Sequence, residues 1–207
     1  MKGLFITIEG GEGAGKSTQM DRIAAWLEQQ GRRVVCTREP GGTRLAESLR
    51  EMLLDRNNTA ISSLAELLLM FASRAQHLEE LIRPALERGD AVLCDRFTDA
   101  TWAYQGGGRG IPREQIAALE ELVHGDLQPS LTFLLDLPVE VGLNRAARRS
   151  ESDRFESESI AFFERVRAAY IERAAADPQR FAVIDAALDQ EGVWSQIEAE
   201  LERRFLP

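Results

Sequence analysis

Gly10-Gly11-Glu12-Gly13-Ala14-Gly15-Lys16-Ser17 is the stretch that decides the fold, because it fits the pattern G-x-x-x-x-G-K-S/T. It follows the apolar run Leu4–Ile8 and opens a helical pattern, which is the strand–loop–helix context that this pattern needs. Glycines allow backbone N–H groups to curl around phosphate oxygens, and the helix N-terminus adds the positive end of its dipole. The sequence therefore predicts that Gly10 to Thr18 bind nucleotide phosphates, with Lys16 at the β- and γ-phosphates and the Ser17 hydroxyl on Mg²⁺.

Short apolar runs alternate with longer helical patterns along the whole chain. The runs are rich in Val, Ile, Leu and Phe, as strands are when helices cover both faces of a parallel sheet. They are Leu4–Ile8, Arg33–Thr37, Ala91–Asp95, Leu131–Leu137 and Phe181–Ile184. The helical patterns are Lys16–Gln30, Thr43–Leu54, Leu64–Arg88, Arg113–His124, Val139–Arg149, Ser159–Ala176 and Glu191–Phe205. This alternation predicts a right-handed, doubly wound α/β fold, with a kink or break at Pro84.

Composition excludes several classes of protein. A chain of 207 residues predicts one domain over residues 1–207. Its formal net charge of −9 argues against broad binding of nucleic acid, which requires a basic face. No apolar run approaches the roughly 20 residues that cross a bilayer, so no membrane partner is expected. Cys36 and Cys94 lie in apolar runs without zinc or disulfide spacing, which favours two reduced, buried thiols in a cytosolic protein.

The phosphate loop alone is compatible with a small-molecule kinase, a GTPase switch or an ATPase that serves a larger machine. The Asn-Lys-x-Asp sequence typical of guanine recognition is absent, since the only lysines are Lys2 and Lys16. The third predicted strand ends in Asp95-Arg96, and an arginine there suits a second bound phosphate better than a hydrolytic water. The kinase is therefore favoured over the other two classes.

Residues for an acceptor follow the second and third predicted strands. Parallel strands present their carboxyl ends at one edge, where ligands of such folds bind. The loops after these strands contain Arg38–Thr43, Asp95–Phe97 and Thr101–Gly110. The helical pattern between them carries Phe71 and Arg74, about one turn apart. Together they offer an aromatic surface for a base, amide and guanidinium donors, and a guanidinium for a phosphate.

Four motifs in this order resemble the bacterial thymidylate kinase family from Phe5 to about Tyr170. They are the phosphate loop, Arg38-Glu39-Pro40-Gly41-Gly42-Thr43, Asp95-Arg96-Phe97 and Ala103-Tyr104-Gln105-Gly106. The resemblance implies a P-loop NTPase fold with a five-stranded parallel sheet, helices on both faces and a short lid. It also implies a cytoplasmic homodimer that transfers the γ-phosphate of ATP, with Mg²⁺, to dTMP on the way to dTTP. A different nucleoside or nucleoside-monophosphate kinase and a nucleotide-dependent binding protein remain alternatives.

The resemblance also implies roles for individual residues. Phe71 stacks on the thymine, Arg74 and Gln105 donate hydrogen bonds to its polar edge, and Glu39 and Pro40 lie in the acceptor site near the base. Arg96 holds the acceptor phosphate, Tyr104 crowds the sugar 2′ position, Glu12 reaches the 3′-hydroxyl, and Thr101 adds a hydroxyl contact. Asp95 acts near Mg²⁺, and Ile184-Asp185-Ala186 falls where the family holds adenine.

Arginines concentrate in the polar segment at about 145–158, which is expected to be the lid. Ala14 leaves the phosphate loop without an arginine, and family members of this kind carry catalytic arginines in the lid. The candidates are Arg145, Arg148, Arg149 and Arg154. Arg149 aligns best with the family's catalytic lid arginine, and Lys16, Arg96 and Asp95 complete the predicted catalytic set. The long helical pattern Leu64–Arg88 has more apolar residues than one face holds, so it is expected to form part of the dimer contact.

Overall fold

A computed structural model of the chain describes residues 3–58, 60–148, 154–155 and 158–206. Five parallel strands form one sheet in the order β2-β3-β1-β4-β5, which confirms the predicted P-loop NTPase fold. The strands are β1 (Leu4–Gly10), β2 (Val34–Arg38), β3 (Ala91–Asp95), β4 (Leu131–Asp136) and β5 (Phe181–Asp185). β2 and β3 lie on one side of β1, and β4 and β5 lie on the other. The strand order therefore changes direction at β1, and ligands of such sheets bind at the carboxyl end of the strands at this point.

Helices lie between the strands much as the periodicity predicts. They are α1 (Lys16–Gln29), α2 (Arg44–Leu54), α3 (Ser63–His77), α4 (Arg83–Glu87), α5 (Thr98–Thr101), α6 (Arg113–Val123), α7 (Val139–Ala146), α8 (Ile160–Ala176) and α9 (Gln190–Phe205). Thr43, Ser62 and Ser159 cap α2, α3 and α8 by accepting a backbone N–H in the first turn. Within the described ranges, no helix has both the length and the apolar character to cross a bilayer.

Alternate residues of the central strands enter cores on opposite faces of the sheet. Ile6 and Ile8 of β1 pack with Ile23 of α1 on one face, whereas Phe5 packs with Leu78 and neighbours on the other. Cys94 on β3 is buried, as predicted, but Cys36 is exposed. The prediction of a buried Cys36 is wrong because β2 is an edge strand, which helices cover less completely.

The predicted helix Leu64–Arg88 is three segments. After α3 the backbone widens into a π-helical turn at Leu78–Ile82 and then continues as α4. Pro84 has no backbone N–H and its ring collides with the preceding turn of a regular helix. The disturbance expected at Pro84 therefore lies in the turn before it, and the helical backbone continues through Pro84.

The segment after β3 is helical, although its glycines favour a loop. After α5, residues Trp102–Gly108 continue as π-helical turns that pack against α8. A Cβ on Gly107 would lie 2.7 Å from the Cβ of Ala169, and one on Gly108 would collide with the ring of Phe162. The glycines are thus needed for close packing between two helical segments, which a local pattern cannot reveal.

Candidate active site

A cavity of about 320 Å³ opens at the carboxyl edge of the sheet, between the phosphate loop, α2, α3 and the segment after β3. Most of the predicted site residues line it. They are Glu12, Gly13, Ala14, Gly15, Lys16, Ser17, Glu39, Pro40, Arg74, Asp95, Arg96, Thr101, Tyr104 and Gln105. Gly10 and Gly11 line a second, smaller cavity, Thr18 follows Ser17 in α1, and Arg149 lies outside the described residues.

The phosphate loop wraps around the Lys16 ammonium. Lys16 Nζ donates to the carbonyl oxygens of Gly10 and Gly11, both at 3.1 Å. Burial, reinforced by the nearby Arg96, lowers the pKa of Lys16. Gly13 has φ +67°, and a Cβ there would collide with the carbonyl oxygen of Gly142 on α7. The loop therefore holds its cation at the cavity and packs backbone to backbone against α7, the helix that precedes the predicted lid.

Glu12, Arg96 and Tyr104 form one hydrogen-bonded group in the cavity wall. Arg96 Nη2 and the Tyr104 hydroxyl donate to the same Glu12 oxygen, Oε1, at 2.6 and 2.7 Å. The Arg96 guanidinium also lies over the Tyr104 ring, 4.7 Å from its centroid. Burial would raise the pKa of Glu12, but Arg96, Lys16 and the Tyr104 hydroxyl outweigh it and lower that pKa to about 2. Glu12 is therefore ionised, and its Oε2 is left for a ligand.

Arg96 has a strained backbone conformation, and the buried Glu9 side chain accepts a hydrogen bond from the backbone of the next residue. Arg96 has φ +68°, a left-handed conformation that costs a non-glycine residue about 1–3 kcal/mol. Glu9 at the end of β1 accepts the Phe97 N–H on Oε1 and the Tyr170 hydroxyl on Oε2, both at 2.7 Å. Burial, reinforced by Asp99, raises the pKa of Glu9 to about 8. Glu9 is not among the residues predicted from the sequence; its signal is an acidic residue inside an apolar strand directly before the phosphate loop.

Arg74 is held in one orientation beneath the cavity. Its Nε donates to Glu39 Oε2 at 2.7 Å and its Nη2 to Thr101 Oγ1 at 3.1 Å. His77 Nδ1 lies 3.0 Å from the other Glu39 oxygen. The two oxygens of the Glu39 carboxylate therefore contact Arg74 and His77, respectively. Nη1 of Arg74 is buried without a hydrogen-bond partner, which leaves one fixed donor for a ligand.

Phe71 does not line the cavity, although the resemblance implies that its ring stacks on the thymine base. It is buried with Leu67, Ile111 and Ile116, and the Arg74 guanidinium lies 4.9 Å from its ring centroid. Met70 lines the cavity instead. Successive residues of an α-helix point about 100° apart, so only one of these two neighbours can face the ligand. The motif placed the aromatic residue one position away from the face that the packing selects.

Gln105 presents a different atom to the cavity from the one expected. Its amide nitrogen, Nε2, donates to Glu66 Oε1 at 2.8 Å. The expectation that Gln105 offers a donor to the base is therefore wrong, because its donor group is already used. The atom left for a ligand is the acceptor Oε1.

Arg50 on α2 is a cavity residue that the sequence analysis missed. Its Nη1 donates to the Pro40 carbonyl oxygen at 2.9 Å. Burial, reinforced by Arg38 and opposed by Glu47, lowers the pKa of Arg50. The cavity is thus lined by a third guanidinium, in addition to those of Arg96 and Arg74. Its only sequence signal is a spacing of two helical turns from Thr43.

Two of the four candidate lid arginines are engaged away from the phosphate loop. Arg145 donates to the carbonyl oxygens of Ala186 and Ala187, at 2.7 and 3.2 Å, in the segment expected to hold adenine. Arg154 donates to the Leu53 carbonyl oxygen at 2.8 Å and to Glu66 at 2.7 Å. Arg148 is exposed. Arg149, the candidate that aligns best with the family's catalytic lid arginine, lies outside the described residues.

Asp95 and Ser17 fit a magnesium ion that takes its other ligands from phosphates and water. Oδ1 of Asp95 is buried without a hydrogen-bond partner, and the Ser17 hydroxyl lies on the same cavity. No group of three His, Cys, Asp or Glu side chains suited to a metal occurs among the residues that the structure describes. Such sparse oxygen ligation is typical of Mg²⁺ bound with a nucleotide.

The known proteins that are similar to this chain are thymidylate kinases, and they match it over nearly its whole length. A family model described as thymidylate kinase matches residues 8–197. A thymidylate kinase of Pseudomonas syringae pv. syringae is 63% identical over 187 residues, 90% of this chain and 89% of the relative. One of Pseudomonas putida is 61% identical over 201 residues, 97% of this chain and 96% of the relative. The crystal structure of thymidylate kinase from Ehrlichia chaffeensis has a TM-score of 0.79 and 35% identity, covering 98% of this chain and 99% of its own.

Proposed function

The chain belongs to the thymidylate kinase family and phosphorylates dTMP, and we propose that ATP with Mg²⁺ is its phosphoryl donor. The observation that carries the proposal is one cavity that combines the phosphate loop, Arg96 and an oriented Arg74–Gln105 pair. The proposed unit is one kinase domain over residues 1–207, with a lid at about 145–158. The proposed compartment is the cytoplasm, where the exposed Cys36 thiol would stay reduced.

The donor site is the phosphate loop. Backbone N–H groups of Gly10 to Thr18 and the Lys16 ammonium bind the phosphates, while Arg145 fixes the segment at Ala186 near the adenine. Ser17 and Asp95 would hold the Mg²⁺, which neutralises charge on the phosphate oxygens when it is bound. Lys16 and Arg96 share the charge that develops on the transferred phosphoryl group.

The acceptor phosphate lies between Arg96 and Arg50 in the proposed complex. Two guanidinium groups at one cavity match the geometry and charge of a phosphate dianion. A nucleoside monophosphate is already largely ionised at neutral pH, since its second pKa is about 6. The reaction therefore needs positioning and charge neutralisation, and no side chain is assigned as a general base.

The sugar is placed by Glu12 and Tyr104. Arg96 and Tyr104 both donate to Glu12 Oε1, so Oε2 is available to accept a hydrogen bond from the 3′-hydroxyl. The Tyr104 ring is held from both sides, by Arg96 and by its own hydrogen bond, and stands where a ribose 2′-hydroxyl would extend. This arrangement favours a deoxyribose.

The base is selected by one donor and one acceptor. Arg74 Nη1 is a fixed donor that matches O4 of thymine, and Gln105 Oε1 is an acceptor that matches N3–H. Cytosine has an amino group at position 4 and an unprotonated N3, so both pairs are mismatched. A donor on Arg74 and an acceptor on Gln105 discriminate thymine from cytosine more strongly than the two donors that the sequence suggested.

We expect kcat/KM for dTMP to exceed that for dCMP by on the order of 100-fold or more, because two buried groups lose their partners with cytosine. Steady-state ADP release with each acceptor at saturating ATP measures the ratio. dUMP is the control, because it keeps both hydrogen bonds and lacks only the methyl group, so its loss should be much smaller. Comparable values for dTMP and dCMP would remove the assignment of Arg74 and Gln105 to the base.

A homodimer is proposed through α2 and α3. Both helices expose large apolar side chains at helical spacing, Leu45 and Met52 on α2 and Leu64 and Leu68 on α3. The two helices pack against each other, so these side chains can form one continuous apolar surface. This surface contains the first part of the segment Leu64–Arg88 that the sequence analysis selected.

Leu68→Glu is expected to convert the dimer to a monomer, because it places a charge in the centre of a desolvated contact. Light scattering after size-exclusion chromatography measures the mass. Ile171→Glu on α8 is the matched control, since Ile171 is similarly exposed but lies away from α2 and α3. A dimer that survives Leu68→Glu, or a wild-type chain that is monomeric at assay concentration, argues against this surface.

A further inference from the structure

Glu66 is a buried carboxylate that lies outside the cavity lining and touches the residue that selects the base. It is on α3 and is 1% exposed. Its Oε1 accepts from Gln105 Nε2 at 2.8 Å and from Arg109 Nε at 3.2 Å. Its Oε2 accepts from Arg109 Nη2 at 3.2 Å and from Arg154 Nη2 at 2.7 Å. Every side-chain group that faces it in these contacts is a donor.

This set of partners determines which end of the Gln105 amide faces the base. An ionised carboxylate only accepts hydrogen bonds, so Gln105 must turn its nitrogen to Glu66 and its oxygen to the cavity. The flanking Arg109 and Arg154 guanidinium groups form ion pairs with the Glu66 carboxylate, so its other partners are also donors. Arg109 is itself fixed by an ion pair with Glu158 and by contact with the ring of Phe162. The amide therefore has one favourable orientation.

We propose that Glu66 is a positioning residue that sets the pyrimidine specificity of the kinase by fixing the orientation of the Gln105 amide. The inference rests on the proposed function, in which Gln105 Oε1 accepts N3–H of thymine. Glu66 makes no contact with the acceptor in this account and acts only through Gln105. A glutamine at position 66 has one donor and one acceptor in place of the two acceptor oxygens of Glu66. The Gln105 amide would then no longer be restricted to one orientation.

The geometry also predicts how Glu66→Gln rearranges. The new amide nitrogen avoids the Oε2 position, where it would face Arg109 Nη2 and Arg154 Nη2. It takes the Oε1 position, where it meets Arg109 Nε and the Gln105 amide. Only the Gln105 amide can adapt, by rotating through 180°. Gln105 then presents a donor to the base, which opposes N3–H of thymine and suits the unprotonated N3 of cytosine.

A merely structural role predicts a different result. Glu66, Glu158, Arg109 and Arg154 form a cluster of two negative and two positive charges, and a general loss of packing there would lower activity with every acceptor alike. A positioning role changes the ratio between acceptors instead. It also raises KM for dTMP more than it lowers kcat, because the base binds at a distance from the transferred phosphoryl group.

The test is kcat and KM for dTMP and dCMP with wild type, Glu66→Gln and Glu66→Asp, each with a check of the fold by thermal denaturation. We expect Glu66→Gln to lower the dTMP-to-dCMP ratio of kcat/KM roughly tenfold or more, mainly through KM for dTMP. Glu66→Asp keeps an acceptor-only carboxylate and is expected to retain the preference. Glu120→Gln is the matched control, because Glu120 also accepts a glutamine amide, from Gln128 at 2.9 Å, but away from the cavity.

Removing one charge from a buried cluster can prevent folding, so the double variant Glu66→Gln/Arg109→Met, which keeps the cluster neutral, is measured in parallel. The same drop in the ratio is expected in it. An unchanged ratio in either folded variant overturns the proposal. The wild-type result separates the two proposals. If wild type shows no preference for dTMP, the proposed function is refuted. If the preference survives Glu66→Gln, only the role of Glu66 is refuted.

Discussion

Arg96→Ala is expected to lower kcat/KM for dTMP on the order of 10²–10³-fold, while ATP affinity changes only a few-fold. This variant removes the guanidinium that we propose for the acceptor phosphate, and it removes the partner that helps to hold the pKa of Glu12 low. Arg96→Lys is expected to restore little, because an ammonium is a point charge and cannot make a two-pronged contact with phosphate. Steady-state kinetics for dTMP and calorimetric titration with ATP measure the two effects separately.

Arg22→Ala is the control for loss of an arginine, because Arg22 pairs with Glu191 on the surface, away from the cavity. It should leave both constants near the wild-type values. The opposite pattern for Arg96→Ala, with ATP binding abolished and dTMP affinity intact, would mean that the donor and acceptor sites are assigned the wrong way round.

Arg149→Ala is expected to lower kcat at least ~30-fold with little change in KM, a discounted part of the 10³–10⁵ that arginines contribute in related phosphoryl transfers. Lys16 is the only cation of the phosphate loop, since position 14 is alanine. Arg145 and Arg154 hydrogen-bond elsewhere, to Ala186 and to Glu66. An arginine that acts when the lid closes affects the transition state more than ground-state binding.

The measurement is the kinetics of the alanine variants at positions 145, 148, 149 and 154, with a fold check on each. Arg145→Ala is expected to raise KM for ATP, because it releases the segment near the adenine, and to change kcat less than Arg149→Ala. Ala14→Arg in the Arg149→Ala chain is expected to restore part of the lost rate. If all four alanine variants keep near-wild-type kcat, the lid is only a cover, and Lys16 and Arg96 suffice with the metal.

Features that depend on local pattern could be predicted from the sequence. The phosphate loop is contiguous, and its glycines and Lys16 have the same role wherever a strand precedes and a helix follows. The three central strands, β1, β3 and β4, are buried as predicted for the same reason, because an apolar run covered on both faces needs no distant information. Motif spacing brought Arg96, Tyr104 and Glu12 together correctly, since each follows the carboxyl end of a neighbouring strand.

Features that depend on packing could not be predicted. Met70 and Phe71 differ by 100° around one helix, and only the contacts of Phe71 with Ile111 and Ile116 decide which faces the cavity. The orientation of Gln105 is set by Glu66, 39 residues away in sequence. Exposure of Cys36 follows from the position of β2 at the sheet edge, which no pattern within that strand encodes.

We propose that one cavity binds ATP and dTMP together and selects dTMP by its base and its phosphate. The most direct test is ADP release by the purified chain with Mg²⁺-ATP and dTMP, dUMP, dCMP, dGMP, AMP or thymidine, and without acceptor. We expect the highest kcat/KM with dTMP, a smaller value with dUMP, and little ADP with thymidine or without acceptor. A higher kcat/KM with any other acceptor, or ADP release that does not depend on the acceptor, would contradict it.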